Sequence, residues 1–178
     1  MKKINFLVIL LLMVLQAQCF AVVDTHGTLN PQQLVIGGIS LRNTRAYFEQ
    51  VYGPADFCSS KKQYAHGRVY YYDKTYHYGN SLAVKYFEDN SDSQIYEIKV
   101  TANNGFATID GVTVGMPEKV LRAVYGAPTT LQAESPSKDG KMENKEYIYY
   151  GVGGSCLQYF RFTVRDGVIK EIVLHWSD

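Results

Sequence analysis

Six tyrosines and two histidines crowd into fifteen residues: Tyr64, His66, Tyr70, Tyr71, Tyr72, Tyr76, His77 and Tyr78. A phenol ring offers a large contact area at low entropic cost and carries a polar tip, so such a cluster suits recognition better than bond-breaking. In an extended chain Tyr70, Tyr72, Tyr76 and Tyr78 share one face, and Tyr71, Asp73 and His77 share the other. So many rings cannot all be core. Tyr72, Tyr76, His77 and Tyr78 are the candidate binding residues, and their ligand is a protein or a glycan. The competing reading is that tyrosine, with its high β propensity, simply fills a half-buried strand.

Other residues could in principle do chemistry. Glu97 and Glu171 hold equivalent places in the two halves of the chain, and paired carboxylates can hydrolyse glycosides. A small hydrolase would need Glu97, Glu171 or His77 gathered in one pocket. The plainer reading is a solvent-facing strand position, with Lys99 beside Glu97 and His175 near Glu171. Glu97, Lys99 and His175 therefore join the candidate binding set. His26, His66, His77 and His175 lack metal-ligand spacing. Gly151-Val152-Gly153-Gly154 follows a strand with no helix after it, so it reads as a hairpin loop and not a phosphate cradle. The expectation is a non-enzymatic protein with no cofactor and no metal.

Compartment follows from the N-terminus. Lys2 and Lys3, the apolar run Phe6 to Leu15, and Cys19-Phe20-Ala21 have the form of a secretory signal peptide over residues 1–21. The apolar run is short against the roughly 30 Å of a bilayer core, so no membrane span is expected after cleavage. Net charge is +1 for the chain, and two lysines leave with the leader, so the mature protein carries −1. No basic run argues for nucleic acid. Cys58 and Cys156 are the cysteines that remain, and in an oxidising compartment they are expected to pair, at a gain of up to about 4–5 kcal/mol.

The elements that position these residues are written twice. Gly38-Ile39-Ser40-Leu41 opens a stretch reaching Val51-Tyr52-Gly53-Pro54. About 73 residues later Gly111-Val112-Thr113-Val114 opens one reaching Val124-Tyr125-Gly126-Ala127-Pro128. A repeat at this period means two copies of one supersecondary unit. The chain divides into a lead-in at 22–37, repeat one at 38–107 and repeat two at 108–178. Each repeat starts with a short helix. Asn43 or Thr44 caps the first, whose stripe is Tyr47, Phe48, Val51 and Tyr52. Pro117 and Glu118 open the second, about ten residues long, whose stripe is Val120, Leu121, Val124 and Tyr125. Gly53-Pro54 and Gly126 with Pro128 stop them.

Strands follow near Arg68–Tyr78, Ser81–Glu88 and Gln94–Ala102, then near Glu146–Gly151, Leu157–Arg165 and Val168–Trp176, with a short strand at Leu34–Ile36. Tyr96, Ile98 and Val100 share a face against Glu97 and Lys99. Ile172, Leu174 and Trp176 share a face against Glu171, Val173 and His175. Asp166-Gly167 signals a hairpin. The segment Gln132–Lys145 reads as a long loop, and Cys58 is placed in its counterpart in repeat one. The fold class is α+β: two tandem α-β-β-β repeats, an antiparallel sheet with both helices on one face.

The pattern carried by Gly111, Gly115, Met116, Val120, Leu121, Tyr125, Gly126, Pro128, Tyr147, Tyr149 and Asp166-Gly167 resembles the superfamily of the SmpA/OmlA outer-membrane assembly lipoproteins and the β-lactamase-inhibitor protein (BLIP-like) fold. Two tandem copies look more like the inhibitor. Arg42 stands where repeat two has Gly115, and Gln18 precedes Cys19 where a lipidation site has a small residue. The resemblance implies an extracytoplasmic module, in the periplasm, cell envelope or outside the cell, that acts by binding protein, and the expected contact surface is the open sheet face with its rim loops. An enzyme-inhibitor role, glycan binding through the tyrosine strand, and a homo-oligomer are the alternatives that this reading leaves open.

Overall fold

The computed structural model describes residues 28–65, 68–133, 144–152 and 157–177. The signal peptide at 1–21 and most of the expected loop at Gln132–Lys145 lie outside them.

Ten strands, two α-helices and a short 3-10 turn at Pro31–Gln33 make up the regular structure of the described residues. A small hairpin comes first, β1 (Val35–Ile36) and β2 (Ile39–Ser40). Gly37 and Gly38 both sit at positive φ in its turn, 58° and 77°, a two-residue geometry that glycine adopts freely. A methyl group on Gly37 would also meet the ring of Phe106. Helix α1 (Arg45–Tyr52) begins where the Thr44 side chain accepts the Tyr47 amide at 3.3 Å, and it ends at Gly53, φ 82°. Helix α2 (Lys119–Tyr125) has seven residues, shorter than the ten expected. Glu118 precedes it without capping it. Its carboxylate instead accepts from the Tyr147 hydroxyl and from Lys145 on the sheet below.

After α1 come β3 (Phe57–Ala65), β4 (Arg68–Tyr78), β5 (Leu82–Tyr86) and β6 (Ile95–Val100). After α2 come β7 (Thr130–Ala133), β8 (Asn144–Tyr150), β9 (Leu157–Arg165) and β10 (Val168–Ser177). All eight join one antiparallel sheet in the order β3-β4-β5-β6-β10-β9-β8-β7. Each half thus contributes four strands after its helix, where three were expected. The additional strands, β3 and β7, are the two edges. Cys58-Ser59-Ser60-Lys61-Lys62-Gln63 has no hydrophobic alternation, because an edge strand over solvent needs none, and lysines there discourage pairing with another chain. The last strand of each half, β6 and β10, meet at the centre.

The core lies between the helices and one sheet face. Phe48 from α1 is fully buried, and Leu121 and Tyr125 from α2 are too. Tyr125 packs against Tyr149 and Phe162 at ring distances of 5.3 and 5.6 Å and donates its hydroxyl to Thr108 at 2.7 Å. Leu29, Leu34, Ile36 and Ile39 from the lead-in and first hairpin complete this layer. The α1 stripe is narrower than expected: Tyr47, Val51 and Tyr52 are exposed and Phe48 alone is buried. No helix among the described residues is long and apolar enough to cross a membrane.

Cys58 is a free, exposed thiol on β3. Five ladder steps of about 4.8 Å separate β3 from β9, which starts at Leu157. A disulfide needs Cα atoms within about 7 Å. The expected Cys58–Cys156 bond is therefore not supported, and Cys156 itself lies outside the described residues.

Candidate functional site: the open sheet face

Side-chain alternation sends every second residue of each strand away from the helices. The strand register lines these residues up in rows. One row runs Lys85, Glu97, His175, Tyr159, Tyr150 across β5, β6, β10, β9 and β8. The next runs Phe57, His77, Ala83, Lys99, Val173, Arg161, Ile148, Thr130 across all eight strands. A third starts at Glu171 and continues through Thr163 and Glu146.

Opposite charges pair along the first row and between the second and third. Glu97 accepts from His175 Nδ1 at 3.1 Å and faces Lys85 Nζ at 3.4 Å. Lys85 reaches Asp73 at 3.3 Å, and the Tyr96 hydroxyl donates to the same carboxylate at 2.9 Å. Lys99 pairs with Glu171 at 2.8 Å, and Arg161 approaches Glu171 at 3.8 Å. The rings of Tyr96 and Tyr159 flank His175 at 6.0 and 5.3 Å, and Tyr150 lies 5.3 Å from Tyr159.

These polar groups are partly withdrawn from water although no described element covers them. The Glu97 side chain is 16% exposed, while Lys99, the most open of the set, reaches 40%. Val173 and Ile148 are buried on this same face, in the row with Arg161, and the Arg161 Nε atom between them has no hydrogen-bond partner. Burial opposes ionisation of Glu97, but the His175 hydrogen bond and the Lys85 charge outweigh it and hold the carboxyl below its ordinary value. Lys85 shows the converse. Burial would lower it, and the Glu97 and Asp73 charges raise it instead.

Of the residues singled out from sequence, Glu97, Lys99 and His175 come together here. His77 lies on the same face nearer the β3 edge, stacked on Phe57 at 4.3 Å and bonded to Ser59 Oγ at 2.8 Å. Tyr76 and Tyr78 do not lie here; both point to the helix-covered side. Tyr76 is buried under the Arg45 guanidinium, 4.3 Å from its ring, and its hydroxyl bonds Asp89. Tyr78 packs on Phe48 at 4.9 Å. The side chain of Tyr72 lies outside the described residues. Glu97 and Glu171 are each held in ion pairs, two rows apart, and do not face each other across a cleft.

Tyr96 was expected to share a face with Ile98 and Val100 and lies instead on the open side. The register of β5 against β6 shifts between Lys85 and Tyr86, so β6 carries one additional residue there, and the ring turns over. Tyr159, Arg161 and Lys85 were missed altogether. Their signal was present as strict alternation, Tyr159-Phe160-Arg161-Phe162-Thr163-Val164 in β9 and Leu82-Ala83-Val84-Lys85-Tyr86 in β5. The chain matches no known protein-family model, no curated protein and no solved structure.

Proposed function

We propose that this chain is a non-enzymatic, extracytoplasmic module that grips a protein partner with its open sheet face. The observation that carries this reading is the contiguous strip Tyr96, His175, Tyr159 and Tyr150, set beside Arg161 and bordered by balanced charge pairs, on a sheet whose other face holds the core. Tyrosine and arginine are the residue types that dominate binding energy when a partner excludes water from them. Charges of both signs add register and selectivity, since a partner with the wrong pattern leaves ions unpaired. The helix-and-strands unit appearing in each half is compatible with the tandem BLIP-like arrangement. The leader-like residues 1–21 support a periplasmic, envelope or secreted location.

Capture from periplasmic and secreted fractions tests the reading. The wild-type chain serves as bait beside Tyr159→Ala/Arg161→Ala, with matched thermal melts to show that the variant is folded. One protein retained stoichiometrically by the wild type and lost by the variant is the expected result. Equal retention by both removes the open face from the function.

A further inference from the structure

The turn between β5 and β6 forms one rim of the open face and carries an exposed ring, Phe87, at 49%. Phe87 lies 5.4 Å from Tyr96 and 5.8 Å from Trp176. On one side of it is a cavity of about 120 Å³ walled by Asp73, Tyr86, Tyr96 and the Lys74–Asp89 ion pair. On the other is a shallower depression walled by Glu88, Asn90, Asp92 and Gln94. The turn is firmly built. Phe87 N donates to Gln94 O at 3.1 Å, Glu88 N to Ser93 Oγ at 2.7 Å, and Asp92 N to Asn90 Oδ1 at 3.0 Å. The amides of Arg45 and Ala46 on α1 then bond the carbonyls of Ser93 and Ser91, both at 2.9 Å.

Twice in this region the fold sets a cation over a ring beside a carboxylate. Arg45 lies over Tyr76 and pairs with Asp89. Lys85 lies 5.8 Å from the Tyr96 ring centre and pairs with Asp73. Phe87 also has carboxylates beside it, but the nearby Lys74 is spent on Asp89 and Glu88 accepts only from the neutral Asn90 amide at 2.7 Å. Among the described residues no lysine or arginine lies over its ring, and neither Glu88 nor Asp92 has an ion-pair partner. An exposed ring flanked by two unneutralised carboxylates on a rigid turn is complementary to a cation, whose attraction to the ring grows as water is excluded.

We propose that this rim is a docking site for an arginine or lysine side chain of the protein partner, seated on Phe87 between Glu88 and Asp92. The inference rests on the protein-binding reading and assigns the partner a basic residue at the edge of its contact. Trp176 is the only tryptophan of the chain, so its emission reports on this rim.

The test titrates the full chain with a blocked tetra-arginine peptide and with its tetra-citrulline counterpart, which keeps the shape and loses the charge. A saturable change in Trp176 emission with arginine alone is expected. Phe87→Ala, and separately Glu88→Gln/Asp92→Asn, should each raise the midpoint at least about fivefold with unchanged melting behaviour. Equal responses to arginine and citrulline, or an unshifted midpoint in Phe87→Ala, overturn the proposal. In the capture experiment, loss of the partner by Tyr159→Ala/Arg161→Ala but full retention by Phe87→Ala sinks the rim site and leaves the face reading standing. Arginine binding that depends on Phe87, without partner loss in the open-face variant, sinks the face reading and keeps the rim.

Discussion

At the scale of single residues the open face is an electrostatic lattice, and Glu97 is its centre. His175 and Lys85 keep its carboxyl ionised below the ordinary value of 4.5. A carboxylate depressed in the folded state adds stability above its unfolded value, and that stability is lost as pH falls through the folded one. Urea midpoints measured from pH 7 down to pH 3 should therefore drop in the acid range, and Glu97→Gln should flatten the drop. At neutral pH Glu97→Gln should cost about 1–2 kcal/mol, the scale of a partly screened charged hydrogen bond. A parallel acid profile in the variant would assign the acid sensitivity to other carboxyls. Cys58 sets a second expectation. As an exposed free thiol on an edge strand it should react fully with a maleimide under native conditions, and dithiothreitol should leave the melting temperature unchanged. Protection of Cys58 until reduction would restore the disulfide.

Helices and strands show which parts of the pattern carry energy. Both helices are too short to stand alone, so each depends on the rings it buries. Phe48 has no exposed surface and meets Tyr52 and Tyr78 at 5.0 and 4.9 Å, whereas Val51 is 49% exposed. Phe48→Ala should cost about 3–5 kcal/mol, and Val51→Ser should stay within about 0.5 kcal/mol. Denaturant midpoints decide this, and a large loss in Val51→Ser would mean that the helix stripe is covered. The helix boundaries were legible because Thr44, Gly53 and Gly126 act through their own backbone geometry. The Asp166-Gly167 hairpin was legible for the same reason, and both residues take positive φ, 53° and 69°. Strands β3 and β7 were illegible because an edge strand is recognised by the neighbour it pairs with, and Lys61 or Gln132 carries no mark of that neighbour. The stripe of α1 was overread for a related cause. Spacing names a face, and the sheet beneath decides how much of that face it covers.

Over the whole molecule the two halves are joined through β6 and β10. Ile98 faces Leu174 and Val100 faces Ile172 across that seam, and all four are buried. Neither half can cover these residues alone. A fragment of residues 28–107 is expected to lack a cooperative thermal transition, and co-expression with 108–178 should restore one. A fragment that melts sharply by itself would make each half an independent domain. The strand order also explains the candidate site. Glu97 and His175 are 78 positions apart, and they bond only because the last strands of the two halves pair at the centre of the sheet.

From sequence alone came what depends on neighbours in the chain: the Thr44 cap, the glycine helix stops, the Asp-Gly turn, the alternation of Glu171–Trp176 and the mixed α+β class with helices on one face. The tertiary structure alone decided what depends on distant partners. It set the edge strands, which lack a pattern of their own. It set the side of Tyr96, turned by one additional residue in β6. It placed Tyr76 and Tyr78 beneath the helices, where ring and hydroxyl are both satisfied. It also gathered Glu97, His175, Tyr159 and Arg161, because cross-strand register joins residues that no local spacing connects.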